Sequence, residues 1–323
     1  MDALIPDTEV VRTAVDLACR APSVHNSQPW RWRYDAGRLE LSADPARLLV
    51  AADPRGRQLM ISCGAALQHL TVALTALRWQ THIDLFPDPA RPQLVAAMRF
   101  ANNARPQSHD FDLLAAIRRR RTDRTAFAPL PDTPLLRNLL GAAGAEVTVT
   151  FLGADARPVL AEATASSLAA RRYDASYQAE LRWWAGHIRD GDGIPEAALA
   201  TRTERQRVPV GRRFPDPHGA TRTDDGPDDE STVLVLSTTA DDAAAWLRCG
   251  RALSAIALEA TVQRLATCPL THLTDIDRSR DIVRTLIPGA EVPQLLLRVG
   301  IPTRPTPLND TPRRPIVEVL TFG

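Results

Sequence analysis

The chain has no lysine: all 39 of its basic residues are arginine. That excludes Schiff-base chemistry, pyridoxal phosphate anchored in the usual way, and a P-loop lysine. A phosphate held here must be gripped by arginine forks, backbone amides and hydroxyls. A coding preference for arginine would give the same composition, and the exclusions hold either way. Excess charge is also missing, since 39 bases against 38 acids leave +1, so no global field favours nucleic acid or a membrane surface. Cysteine is sparse: Cys19, Cys63, Cys249 and Cys268 form no CxxC pair and read as small buried hydrophobes. The seven histidines show no HExxH or similar spacing, so no metal is expected. No segment reads as the roughly 18 apolar residues of a membrane span. Met1–Asp7 lacks the basic and apolar regions of an export signal, and a cytoplasmic location is expected. No GxGxxG occurs, so a dinucleotide would have to bind without the Rossmann fingerprint.

What is present starts near the N-terminus. At 323 residues the chain is long enough for two subdomains or one elaborate domain. Asp7 to Arg20 reads as an amphipathic helix with Val11, Ala14, Val15 and Ala18 on one face. It runs into Ala21-Pro22-Ser23-Val24-His25-Asn26-Ser27-Gln28-Pro29-Trp30, a proline-framed polar loop able to grip a flat polar ring. Trp30, Trp32 and Tyr34 then alternate with arginines as in a strand. A turn at Asp35–Arg38 returns the chain through Leu39 and Leu41 as a hairpin. A long helix is expected from about Arg57 to Trp79, and a second hairpin over 82–86 and 94–100. Asn102 to Ser108 reads as a linker between two halves.

Beyond the linker, a helix from Phe111 to Arg121 ends in a basic cluster. Pro134 to Leu140 is helical and stopped by Gly141 and Gly144, and Val147, Val149 and Phe151 alternate as a strand. Alanine-rich helix is expected from Pro158 to about His187. Residues 201–230 are arginine-rich, then proline-rich, then acidic over Asp224–Glu230. They are too polar to fill a core and too long for an ordinary connection, hence a mobile loop or a lid. Val233–Leu236 reads as a buried strand, Asp241 to Ala266 as a helix, Gln294–Gly300 as another buried strand, and Pro315–Leu320 as an added edge strand.

Cys63-Gly64-Ala65-Ala66-Leu67 and Cys249-Gly250-Arg251-Ala252-Leu253 sit early in two long apolar helices, with the glycines 186 positions apart. Glycine inside a helix costs about 1 kcal/mol against alanine, so its recurrence points to close helix packing. A helix–strand pair precedes each segment, and the halves read as two copies of one α+β unit.

The arginine cluster, Arg118-Arg119-Arg120-Arg121-Thr122-Asp123-Arg124-Thr125-Ala126-Phe127, could surround a phosphate with charge-assisted bonds. Taken alone it fits a solvated helix face as well, and without aromatic interleaving it does not read as a nucleic-acid surface. Together, APSxxNxQPW after an N-terminal helix and an RRTxR element resemble the FMN-dependent nitroreductase family. In that family the flavin lies at a dimer interface, with the arginine motif from one subunit and the Ser/Asn loop from the other. Here each motif occurs once, in different halves, and the chain resembles the Acg type, in which a single chain imitates the family dimer. The resemblance implies an α+β, nitroreductase-like fold. It would consist of two tandem degenerate α/β/α halves with antiparallel-rich sheets, residues 1–107 and 108–323, the second with a lid or loop insertion around 201–230.

The same resemblance implies one FMN per chain and NAD(P)H as a transient donor, with the flavin rather than a catalytic side chain carrying the chemistry. Arg120, Thr122 and Arg124 would hold the phosphate and ribityl end, closed by Arg313 and Arg314. Ser23, His25 and Asn26 would lie along the ring, and Leu270 and Thr271 would bring backbone near flavin N5. The implied activity is electron transfer from NAD(P)H through flavin to a quinone or nitroaromatic, as in an NAD(P)H-dependent FMN nitroreductase. The alternative is an FMN-sequestering or storage protein with a covered flavin and little turnover. No nucleic-acid or membrane partner is expected, and self-association is not required to build the site.

Overall fold

The computed structural model spans the chain and describes all residues except 1–4, 103, 131–132, 187–190, 218–225 and 305–310. Met1–Leu4, His187 and Asp224, to which the sequence expectations extend, lie outside the described residues. The first helix, α1 (Thr8–Ala18), starts where the Asp7 carboxylate accepts the Val10 amide at 2.8 Å, and it buries Val11, Ala14, Val15 and Ala18 as the spacing predicts. Strands β1 (Trp30–Asp35) and β2 (Arg38–Ala43) form the expected hairpin, with Trp30 and Trp32 buried and Arg31 and Arg33 exposed. Its two-residue turn, Ala36-Gly37, has positive φ at both positions, which suits the twist of the paired strands. Helix α2 (Arg57–Ala76) leads to the hairpin of β3 (Gln80–Leu85) and β4 (Leu94–Ala101). These four strands stand in the order β1-β2-β4-β3.

The second part repeats that order. After α3 (Ser108–Arg119) and the short β5 (Phe127–Ala128) come α4 (Thr133–Ala143) and β6 (Thr148–Leu152). Helices α5 (Arg157–Arg171), α6 (Ala175–Trp184) and α7 (Arg202–Gln206) precede β7 (Thr232–Thr238). Then follow α8 (Ala243–Val262), β8 (Ala266–Leu270), α9 (Asp277–Arg284) and β9 (Val292–Pro302). Strands β6, β7, β9 and β8 are neighbours in that order, the counterpart of β1-β2-β4-β3. Pairing is antiparallel in both sheets except at one edge. There, after α10 (Ile316–Val319), the final strand β10 (Leu320–Phe322) lies parallel to β1 in the first sheet.

Between the sheets, α2 and α8 cross at their glycines. A Cβ on Gly64 would lie 2.0 Å from the Leu247 carbonyl oxygen, and one on Gly250 would lie 1.9 Å from that of Ile61. Ile61 and Leu247 are themselves 186 positions apart, as the two glycines are. The contact is therefore reciprocal, with the self-complementarity of a two-fold interface built within one chain.

Several elements depart from the sequence expectation. The turn that links β1 to β2 has its counterpart between β6 and β7 in a long insertion, residues 153–231, so the added segment begins well before 201. Within 201–230 the chain does contribute to the interior: Val208, Val210 and Asp229 are buried. Helix α4 runs through Gly141 to Ala143. The single helix expected from Pro158 divides into α5 and α6, because the Asp174 carboxylate caps a new start by accepting the Tyr177 amide. Strand β8 and helix α9 were not anticipated. The tail alternation of Ile316, Val317 and Val319 forms one helical turn, and only Leu320–Phe322 is strand. Helix α2 is long and apolar enough to cross a membrane, with mean hydropathy 1.5, contrary to the expectation that no segment would be. Its apolar window is 83% buried in the protein, where it packs on α8 and the first sheet as a core helix.

Candidate functional site

One cavity of about 450 Å³ is lined by the loop after α1, helix α2, the stretch after α3, the end of β8 and the insertion, within the range of small-molecule and cofactor sites. The polar loop after α1 supplies Ser23 and His25, and the stretch after α3 supplies Thr122 and Arg124. The end of β8 brings Leu270, Thr271 and His272, and α2 contributes Gln58 and Ser62. The insertion adds Arg205, Arg212, Arg213 and Phe214. Six of the ten residues singled out in the sequence thus share one cavity: Ser23, His25, Thr122, Arg124, Leu270 and Thr271.

The loop is held in a costly shape. His25, Asn26 and Gln28 take φ of 49°, 58° and 49°, each an unfavourable left-handed conformation for a side chain with a Cβ, costing on the order of 1 kcal/mol. Bonds from both sides fix it. Ser23 Oγ accepts the Gln28 amide at 3.0 Å, and Ser62 Oγ accepts the Val24 amide at 3.2 Å. The strain places the His25 ring in the cavity wall, edge-on to Phe214 with centroids 5.6 Å apart. Among the described residues both His25 ring nitrogens are buried with no hydrogen-bond partner. His272 Nδ1 is likewise buried and unbonded. Such groups are expensive to leave unpaired and suit a polar ligand.

Arg124 crosses the same space, donating to the Ala198 carbonyl at 3.0 Å and lying 5.1 Å from the Phe214 ring centroid. Arg212 donates to Tyr177 Oη at 2.6 Å, Thr271 Oγ1 at 3.0 Å and Asp275 Oδ2 at 2.5 Å. Burial alone would lower the Arg212 pKa, but the Tyr177 hydroxyl and the Asp275 carboxylate raise it.

The other four sequence candidates stand behind the loop. Asn26 Nδ2 donates to the Gly193 and Pro312 carbonyls at 2.9 and 3.0 Å. The Arg314 amide donates to Gln28 Oε1 at 2.9 Å, tying the C-terminal tail to the loop. Arg313 donates to the carbonyls of Cys19 and Arg20 at 2.9 and 3.0 Å. Arg120 is buried with its Nε unbonded. Its pKa falls to about 9, from burial first and then from Arg313, Arg121 and Arg20. The charges acting on Arg120 are thus all positive, which is the environment of an oxyanion site. Sequence reasoning did not single out Gln58, Ser62, Arg212, Phe214 or His272. A basic pair at Arg212-Arg213 was visible, but nothing local places it against a loop nearly 190 residues earlier.

The buried histidines have a consequence for acid stability. Burial holds His25, His69 and His272 well below the usual imidazole range; Arg212 adds to this at His25 and His272, and Arg120 and Arg313 at His69. Below about pH 6.5 the unfolded chain takes up protons that these folded rings refuse, so stability is lost as pH falls. Each ring contributes about 1.4 kcal/mol per pH unit, or about 4 kcal/mol for three rings between pH 7.5 and 5.5. Asp53, raised to about 6 mainly by burial, opposes this by about 1 kcal/mol, because its folded form gains stability as pH falls. Urea unfolding at the two pH values is expected to differ by about 3 kcal/mol net; equal values would contradict it.

No family model matches the chain. It is 43% identical over 316 residues to a protein of Mycobacterium tuberculosis (strain ATCC 25618 / H37Rv) named "Putative NAD(P)H nitroreductase acg", covering 97% of this chain and 95% of the relative. A second protein of that strain, named "Putative NAD(P)H nitroreductase Rv3131", is 39% identical over 327 residues, covering 100% of this chain and 94% of the relative. Among solved structures, the FMN-dependent nitroreductase NfnB of Mycobacterium smegmatis in complex with NADPH covers 60% of this chain and 89% of its own. Its TM-score is 0.36 at 18% identity, too distant to carry residue roles across.

Proposed function

This chain belongs to the Acg-type NAD(P)H nitroreductase family, and from that premise we propose that it binds one FMN and uses it to pass electrons from NAD(P)H to a quinone or nitroaromatic acceptor. The observation that carries this reading is the meeting of Ser23 and His25 with Thr122 and Arg124 in one cavity. The unbonded nitrogens of His25 and the unbonded Nε of Arg120 fit a polar, phosphorylated cofactor. Bound FMN would supply the hydride and electron transfer, and the protein supplies orientation, charge and exclusion of water.

In this reading Arg124 and Thr122, which line the cavity, hold the phosphate end and the chain leading from it to the ring, and Arg120 and Arg313, behind the loop, add positive charge to that end. Ser23 and His25 line the ring edge, with Leu270 and Thr271 opposite. Asn26 and Arg314 act at one remove, by locking the loop to the C-terminal tail. We infer in the same way that residues 1–107 and 108–323 are two family-like halves, which the matching strand orders support. One chain then builds the whole site, without need of a second copy, and we assign it to the cytoplasm.

Charge-assisted bonds contribute about 1.5–3 kcal/mol. Arg124→Ala or Arg120→Ala should therefore weaken FMN binding by about tenfold or more, and Ser23→Ala by less. Quenching of FMN fluorescence on reconstitution measures this. Undiminished affinity in both arginine variants would remove the phosphate assignment.

A second reading, FMN storage with little turnover, is favoured by the wall that Gly211, Arg212 and Phe214 form over the cavity. Anaerobic NADPH separates the two. Bleaching of the flavin-loaded protein within seconds supports the reductase. Slow bleaching that accelerates in Asp275→Asn, which weakens the hold on Arg212, supports storage.

A further inference from the structure

Among the described residues five arginines line the cavity, Arg124, Arg205, Arg212, Arg213 and Arg298, and no carboxylate does. Four of the five are already engaged. Arg298 pairs with Asp229 at 2.8 Å, Arg212 with Asp275 at 2.5 Å, and Arg205 with Asp216. Arg124 binds the Ala198 carbonyl and lies over Phe214. Among the described residues Arg213 has no hydrogen bond or ion pair, and it is exposed to solvent while lining the cavity. Its neighbours hold it in place: Arg212 is fixed by three side-chain bonds, and Phe214 is wedged against His25 and Arg124. Burial keeps the nearby imidazoles of His25 and His272 neutral, so the positive charge on this side of the cavity comes from its arginines.

We propose that Arg213 determines specificity by binding an oxyanion, carboxylate or phosphate, on the second ligand that enters the cavity. A guanidinium held on both sides and left without an acid is suited to bidentate recognition of such a group. The oxyanion is distinct from the FMN phosphate in this reading, because Arg213 comes from the insertion and lines the cavity whereas Arg120 stands behind the loop. The proposal rests on the cofactor assignment above for what fills the rest of the cavity.

The test uses the FMN-loaded full chain and calorimetric titration with two pairs of probes, 4-nitrobenzoate against nitrobenzene and NADP+ against NAD+. Wild type is expected to prefer the more anionic member of at least one pair by tenfold or more. Arg213→Gln should abolish that preference while leaving affinity for the other member and the flavin-to-protein ratio unchanged. Arg213→Lys, which keeps the charge without the fork, should restore part of it. A loss confined to nitrobenzoate assigns the oxyanion to an electron acceptor, and a loss confined to NADP+ assigns it to the donor's 2′-phosphate. Equal affinities in wild type, or a preference that survives Arg213→Gln, overturn the proposal. Loss of flavin from Arg213→Gln also overturns it, because Arg213 would then serve the cofactor. Failure of the wild type to take up FMN at all is read separately, from the visible spectrum, and rejects the cofactor assignment instead.

Discussion

Replacing Gly250 by alanine is expected to destabilise the protein by about 3 kcal/mol or more, although alanine is the better helix former by about 1 kcal/mol. The added methyl group would lie 1.9 Å from the Ile61 carbonyl oxygen and 2.7 Å from its carbon. Both are backbone atoms, so no rotamer change relieves the clash and the two helices must separate. Overpacking in cores costs about 1–3 kcal/mol and occasionally more, and here α2 and α8 form the most extensive helix contact in the protein. At about 2 °C per kcal/mol for a chain of this size, the melting temperature should fall by roughly 6 °C or more. Gly64→Ala, facing Leu247 at 2.0 Å, should behave alike. Gly141→Ala is the control: it lies in α4 with nothing within 4 Å of the added carbon, so it should be neutral or stabilise by up to about 1 kcal/mol. A Gly250→Ala protein that melts at or above wild type would mean that the helices do not meet at these glycines.

Asp229→Ala is expected to cost about 3–5 kcal/mol, the usual penalty for stripping the partner from a buried charge. Arg298 is 1% exposed. It donates to Asp229 Oδ1 at 2.8 Å, to the Thr125 carbonyl at 2.7 Å and to Ser231 Oγ at 3.2 Å. Asp229 also accepts the Phe127 amide at 2.9 Å and the Ser231 hydroxyl at 2.7 Å, so its loss leaves several buried donors unmatched. Combining Asp229→Ala with Arg298→Met should recover much of the loss, since the uncompensated charge is then gone. Denaturant titration of the single and double variants measures the coupling. Additive costs, or a single-variant cost below about 1 kcal/mol, would show that the pair does not pin the end of the insertion.

The insertion also explains how the cavity is completed. A two-residue turn suffices between β1 and β2, whereas 153–231 fills the equivalent position between β6 and β7. Asp229 anchors its C-terminal end to β9 through Arg298, and Arg212 anchors its middle to Asp275. The segment therefore brings Arg205, Arg212, Arg213 and Phe214 to a wall that the rest of the chain leaves open.

By itself the sequence determined the elements whose signals are local. The 3.6-residue spacing of Val11, Ala14, Val15 and Ala18 set α1, and the alternation of Trp30, Trp32 and Tyr34 set β1. The paired CGxAL segments marked the two helices that meet. The absence of lysine confined anion binding to arginine, and the APSxxNxQPW and RRTxR motifs pointed to a nitroreductase, the family to which the chain belongs. Tertiary structure decided what depends on contacts distant in the chain. Composition made 201–230 look like solvent-facing loop, yet Asp229 is buried because Arg298, on a strand about seventy residues later, needs its charge. The tail alternates like a strand, yet most of it is a helical turn. Asn26, Arg313 and Arg314 carry family motif positions, but their bonds join loop to tail instead of facing the cavity. Arg212 and Arg213 look alike in sequence, and the positions of Asp275, Tyr177 and Thr271 leave Arg212 engaged and Arg213 without a partner among the described residues. Helical and strand periodicity is a property of neighbours along the chain, whereas the pairing of a buried charge is a property of neighbours in space.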